Sequence, residues 1–141
     1  MNINLVGVLV DGPDRASGIP DNPRKALTWP LGTTVVIRLD VKSRQSGAPV
    51  DLTGATVQLE ARLQPLPFNQ PKLLSVVASP LYPVVRGACQ LVIYPTAQKQ
   101  IMQQNIGRCF YDVWMVDVLG NRNAIIPTSP LILEPSVTEI T

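Results

Sequence analysis

Histidine is absent from this 141-residue sequence. That removes Ser-His and Cys-His nucleophilic sites and every histidine-ligated metal site. Cysteine is scarce. Cys89 and Cys109 stand twenty positions apart and form no CxxC pair. No GxGxxG, GxxxxGKS or GxxxxGKT loop is present for a nucleotide. No cofactor and no metal is expected. Charge is also low, at 16% against the roughly 25% of ordinary soluble domains. The net charge of +2 is evenly spread, with no basic stripe carrying interleaved aromatics, so nucleic acid is not an expected partner. Long apolar runs are missing too. Nothing approaches the about 20 apolar residues of a membrane helix. The run Leu5-Val6-Gly7-Val8-Leu9-Val10 is short and has no basic flank, unlike a signal peptide. The chain is expected to be made and kept in a cytosol, off the membrane, with both thiols reduced and buried. One disulfide between them is the alternative.

The ten acidic residues are scattered. Asp11 and Asp14 sit in turn chemistry, and Asp112 and Asp117 are five apart on one strand, so they face opposite sides. A carboxylate pair assembled from distant residues is invisible in a sequence. The chain is read as no enzyme.

What remains is a binding protein with a core. Apolar residues make up 45%, enough for one domain. Fourteen prolines and nine glycines exclude long helices and favour short strands joined by turns. Val35, Ile37, Leu39 and Val41 alternate with Val36, Arg38 and Asp40. Val57, Leu59, Ala61 and Leu63 alternate with Thr56, Gln58, Glu60 and Arg62 more cleanly still. Leu73 to Val77, among Pro65, Pro67, Pro71, Pro80 and Pro83, predicts an edge strand. Gly87 to Tyr94, Cys109 to Leu119, Ala124 to Ile126 and Leu131 to Leu133 predict further strands. One helix is predicted over Thr96 to Asn105, capped by Thr96, ended by Gly107, with Ala97, Ile101 and Met102 on one face.

Residues 1 to 28 lack this periodicity and read as an extended arm ahead of a sandwich domain at residues 29 to 141. The apolar run with Leu5 and Val8 could then add a strand to a neighbour's sheet edge. The alternative is a first strand and a long loop of the same domain. If Cys109, Tyr111, Val113 and Met115 face the core, Phe110, Asp112, Trp114 and Val116 face outward. Phe110, Trp114 and Val116 then form an apolar strip, which marks a partner surface or is covered by part of the same chain. Trp29 has the same two readings, a partner contact or a plug for the sandwich end.

The stretch Ala48-Pro49-Val50-Asp51-Leu52-Thr53-Gly54-Ala55-Thr56-Val57 resembles the G-x-P-x-DLTGATV signature of small immunoglobulin-like phage proteins. These are similar to the N-terminal domain of baseplate upper proteins. A W-x-x-G-x-T opening at Trp29 to Thr34, a strand, a short helix after Pro95 and then G-x-Y-x-YD over Gly87 to Asp112, a D-x-x-G-N hairpin at Asp117 to Asn121 and a terminal L-x-L-x-P-x-V-T strand at Leu131 to Thr138 complete the resemblance. Cys109, where an aromatic is usual, the proline-rich insert at 64 to 83 and the long arm depart from it. In physical terms, Asp51 and Thr53 can bond amides of a tight turn, Leu52 can enter the core, and Gly54 allows positive φ. DLTG then makes a corner where the chain changes sheets. The fold expected is all-β: a single immunoglobulin-like sandwich with one short helix and an extended N-terminal arm. The resemblance implies a virion accessory protein, made in a host cytoplasm and present in symmetric copies. Its partners would be major capsid, tail, baseplate or fibre proteins. A soluble carbohydrate-binding or adhesin-type module is the alternative, weakened by an aromatic content of 5%.

Overall fold

A computed structural model describes residues 1–9, 25–65, 70–81 and 84–135. The turn residues expected at 11–23, Pro67, Pro83 and Thr138 lie outside these. Nine strands form two sheets among the described residues. They are β1 (Asn2–Leu9), β2 (Leu27–Pro30), β3 (Val35–Ser43), β4 (Thr56–Arg62), β5 (Leu74–Val77), β6 (Ser79–Pro80), β7 (Ala88–Ile93), β8 (Arg108–Val116) and β9 (Arg122–Glu134). One sheet has the order β1-β3-β7-β6 and the other β2-β9-β8-β4-β5. The fold is an all-β sandwich.

The alternating residues fill its interior. Val35, Ile37, Leu39 and Val41 of β3 are fully buried, as are Leu59 of β4 and Val113 of β8. Each such aliphatic side chain stabilises the fold by about 1.5–3 kcal/mol through loss of water contact. Leu63 was expected on the same face as Val57, but it lies past the end of β4 and is exposed. β5 is the edge strand its prolines suggested.

The N-terminal segment differs from the expected arm. β1 pairs in parallel with β3 along its whole length, and Leu5 is buried in the core. Gly7 faces inward against β9, where a Cβ would stand 3.2 Å from Ile125 Cδ1. That close approach lets β1 join the sheet. β2 begins at Leu27 and pairs in parallel with β9, so a boundary at 28/29 would cut a strand. Trp29 is fully buried, and its indole N–H donates to Gln98 Oε1 at 3.4 Å. Gln98 also accepts from Gly32 N at 2.9 Å and donates to Thr33 O at 2.7 Å. Trp29 is therefore a plug held by a buried amide. Leu5 and Trp29, expected as partner contacts, have their side chains buried in the sandwich core.

The helix forms as a 3-10 turn (Pro95–Gln98) running into α1 (Lys99–Gln103). Pro95 occupies its first turn, where a missing N–H costs nothing, so Thr96 lies inside rather than at the cap. Ala97 and Ile101 pack on the core, while Met102 points to solvent. The stop is Asn105 at φ 53, not Gly107. Ile106 N donates to Ile101 O and Asn105 N to Met102 O, both at 3.2 Å, closing the two bonds of a Schellman cap with the buried Ile106 behind it.

Two predicted late strands are one. β9 continues through Pro127 and Pro130, with a register irregularity against β8 near Val113. Its pairing with β2 starts only at Leu131, so both prolines lie where that side of β9 has no strand ladder to interrupt. Cys89 and Cys109 are free and buried, and burial pushes both thiols up to about 11.

Candidate docking face

β4 ends its sheet-facing alternation with Leu59 and Ala61 inward, which turns Gln58, Glu60 and Arg62 out. β8 beside it turns Cys109, Tyr111, Val113 and Met115 inward. Phe110, Trp114 and Val116 accordingly stand half-buried on the outer face of the five-stranded sheet. Register places further apolar groups beside them. Ala124 lies opposite Trp114, Pro130 opposite Phe110, and Ile132 opposite Arg108. Val77 of β5 lies opposite Gln58 and is 59% exposed. The sequence strip is thus one part of a wider band.

An ion cluster sits in the middle of this face. Glu60 Oε2 meets Arg62 at 3.3 Å and Lys72 Nζ at 2.5 Å, and Glu60 Oε1 meets Arg122 at 3.1 Å. Arg62 also reaches Asp112 Oδ2 at 3.1 Å. The Glu60 and Asp112 side chains are only 2% and 3% exposed, whereas those of Lys72 and Arg122 are 47% and 54% exposed. Burial raises the Asp112 carboxyl above its ordinary pKa, while Arg62 and the Trp114 indole N–H pull the other way. Arg122 lies over the Trp114 ring at 4.4 Å and Arg108 over Phe110 at 5.9 Å. Cations over aromatic faces are held by the ring quadrupole. The Glu60 and Asp112 carboxylates anchor Arg62, Lys72 and Arg122 on this face. Among the described residues, no group of three or more His, Cys, Asp or Glu is placed to hold a metal.

The DLTG segment forms the expected corner between β3 in one sheet and β4 in the other. Asp51 Oδ1 accepts from Thr53 N at 3.0 Å and from Thr53 Oγ1 at 2.7 Å, so the threonine hydroxyl bonds the carboxylate and not a backbone amide. Ala55 N donates to Leu52 O at 2.9 Å, and Gly54 at the third position has φ +75°. Leu52 packs partly on the core. The Thr53 hydroxyl, then its N–H, hold Asp51 below the usual carboxylate range, with a smaller push from Arg86. A cavity of about 330 Å³ opens behind the corner, lined by Leu52, Gly54, Val84, Arg86 and Cys89 among others.

Of the residues expected to bind a partner, Phe110, Trp114 and Val116 share this face. Val8 is half-buried on β1 in the other sheet, and Leu5 and Trp29 are in the core. Sequence reasoning missed Lys72, Arg108 and Arg122, which the fold brings to this face from three segments. Lys72 and Arg122 reach it only through strand register, whereas Arg108 stands two residues from Phe110 on one strand, where period two places both on the same face. It also missed Val118 and Leu119, which were assigned to the β8 strand but stand exposed in the β8–β9 turn. That turn is the expected D-x-x-G-N hairpin, where Asp117 Oδ1 accepts from Leu119 N and Asn121 N, both at 2.9 Å.

No family model matches the chain, and no curated protein matches it. Among solved structures, it is similar to the N-terminal domain of phage TP901-1 ORF48, with a TM-score of 0.46 and 15% identity, covering 94% of this chain and 98% of that one.

Proposed function

We propose that this chain is a non-enzymatic structural protein of a bacteriophage particle. It is an accessory or adaptor subunit that docks on the capsid surface or joins tail, baseplate or fibre to the particle. The observation that carries a docking role is the half-exposed band of Phe110, Trp114, Val116, Val77 and Ile132 on one sheet face. Aromatic residues flanked by arginines are the composition of interface centres. The phage setting rests on the ordered motifs around DLTGA. The immunoglobulin-like reading is supported by strand order: β1-β3-β7-β6 falls on the ABED order of such a domain and β9-β8-β4 on its GFC order. The parallel direction of β1 departs from the antiparallel rule of those sheets. Symmetric copies in a ring or shell are the expected assembly.

The test is incorporation. Particles assembled with Trp114→Asp or Ile132→Asp in place of the natural chain should carry at least about thirtyfold less of it by mass spectrometry, since an interface centre loses about 2 kcal/mol or more on such a change. Both variants should still melt as folded domains. Normal incorporation of both would remove this face from the docking role.

A further inference from the structure

We propose that the partner seated on this face is an acidic protein segment that also presents an apolar side chain to Trp114. This rests on the docking role argued above. The five-stranded face carries Arg62, Lys72, Arg108 and Arg122 against Glu60, Asp112 and Glu134. The anions and cations are not equally presented. Glu60 and Asp112 lie beneath the surface at 2% and 3% side-chain exposure. Lys72 and Arg122 are about half exposed, and Arg108 is exposed at the end of β8. Glu134, at the far end of β9, is the exposed carboxylate on the same face. A partner approaching Trp114 therefore meets three cations and few anions.

The cations are also preorganised. The Arg122 guanidinium is fixed between Glu60 and the Trp114 ring, and Arg108 lies over Phe110. A side chain already held in place loses less entropy on meeting a carboxylate. Guanidinium offers paired N–H donors that match a carboxylate, so one edge can remain bound to Glu60 while others face outward. The apolar ground between them supplies desolvated contact area. An acidic segment with interspersed leucine or aromatic residues fits both features. A basic segment would face like charge at close range.

The probes are short peptides of alternating glutamate and leucine, lysine and leucine, and glutamine and leucine. Trp114 is the half-buried tryptophan and Trp29 is fully buried, so a soluble quencher reports on Trp114 in the full-length protein. The glutamate peptide should protect Trp114 from quenching and bind about tenfold more tightly than the glutamine peptide, with the lysine peptide weakest. Raising the ionic strength to ~1 M, where the Debye length falls to ~3 Å, should erase the advantage. Arg108→Glu should also reduce it, because Arg108 lies outside the Glu60 cluster and its reversal leaves the buried pairs intact. Equal binding of the three peptides, no binding of any, or an unaffected Arg108→Glu would overturn the acidic partner. Self-association without peptide, measured by sedimentation, would assign the face to a second copy and overturn it as well. If these results stood while Trp114→Asp still lost incorporation, the docking role would survive without this partner class. If Trp114→Asp were incorporated normally, the docking role itself would fail.

Discussion

Two carboxylate sites in this molecule differ in how far they are exposed to water. Asp51 at the corner and Glu60 with Asp112 on the sheet face each meet an arginine. Asp51 is 57% exposed, its ion pair with Arg86 spans 3.8 Å, and its real partner is Thr53 two residues away. Glu60 and Asp112 are buried and hold cations drawn from β4, β9 and the segment before β5. One site is local and wet, the other non-local and dry. The difference teaches where a charge matters for folding. A surface pair adds little because water already solvates both ions. A buried ion must be matched, and losing one partner leaves a charge with no water to replace it.

The largest break in this comparison should come from Arg62→Ala. It removes the cation shared by Glu60 and Asp112, and a buried pair broken on one side costs about 3–5 kcal/mol. Urea denaturation should show that loss as a lower midpoint with little change in slope. Replacing Glu60, Arg62 and Asp112 together by leucine or methionine should recover most of it, because no uncompensated charge remains. If Arg62→Ala unfolds at the wild-type midpoint, the cluster is wetter than its exposures indicate.

Gly54→Val should come next. The corner residue has φ +75°, and a Cβ there would run into the Val118 side chain. Strain of this kind costs about 1–3 kcal/mol for a β-branched residue. The variant should melt several degrees lower, and Gly54→Val combined with Val118→Ala should recover the steric part but not the backbone part. A melting temperature equal to wild type in the single variant would contradict the corner geometry.

These two sites also divide what could be read from the sequence. The DLTG corner was legible because Asp51, Leu52, Thr53 and Gly54 act within four consecutive positions. Strand alternation at Val35 to Val41 and around Leu59 was legible for the same reason, since period two is a local signal. Residues 2–9 were not. Alternation there is blurred by Gly7, whose role appears only when Ile125 is seen against it. The helix stop moved from Gly107 to Asn105 because asparagine also tolerates positive φ, and Ile106 could then enter the core. The outward turn of Phe110, Trp114 and Val116 followed from the strand period. The cation cluster around them did not, because Glu60, Lys72, Asp112 and Arg122 meet only through the β4-β8-β9 register.

The smallest effect is a difference in acid response, and it sharpens the comparison most directly. Thr53 lowers the pKa of Asp51 below its unfolded value of 3.8. A group depressed on folding contributes stability above its unfolded pKa and loses it as pH falls through the folded one. Asp112 is shifted the other way, chiefly by burial. Its contribution is full below the unfolded pKa of 3.8 and is lost as pH rises through the higher folded value. Wild type, Asp51→Asn and Asp112→Asn should therefore separate when melted from neutral pH down through the carboxylate range. The advantage of wild type over Asp51→Asn should shrink as pH falls below that of the unfolded carboxyl. Its advantage over Asp112→Asn should grow as pH falls from neutral toward the same point. The comparison uses pH slopes rather than absolute melting temperatures, because Asp112→Asn also removes an ion pair with Arg62 at every pH where that pair exists. Parallel slopes for the two variants would mean that the corner and the sheet face present the same environment to a carboxylate, against the burial that distinguishes them.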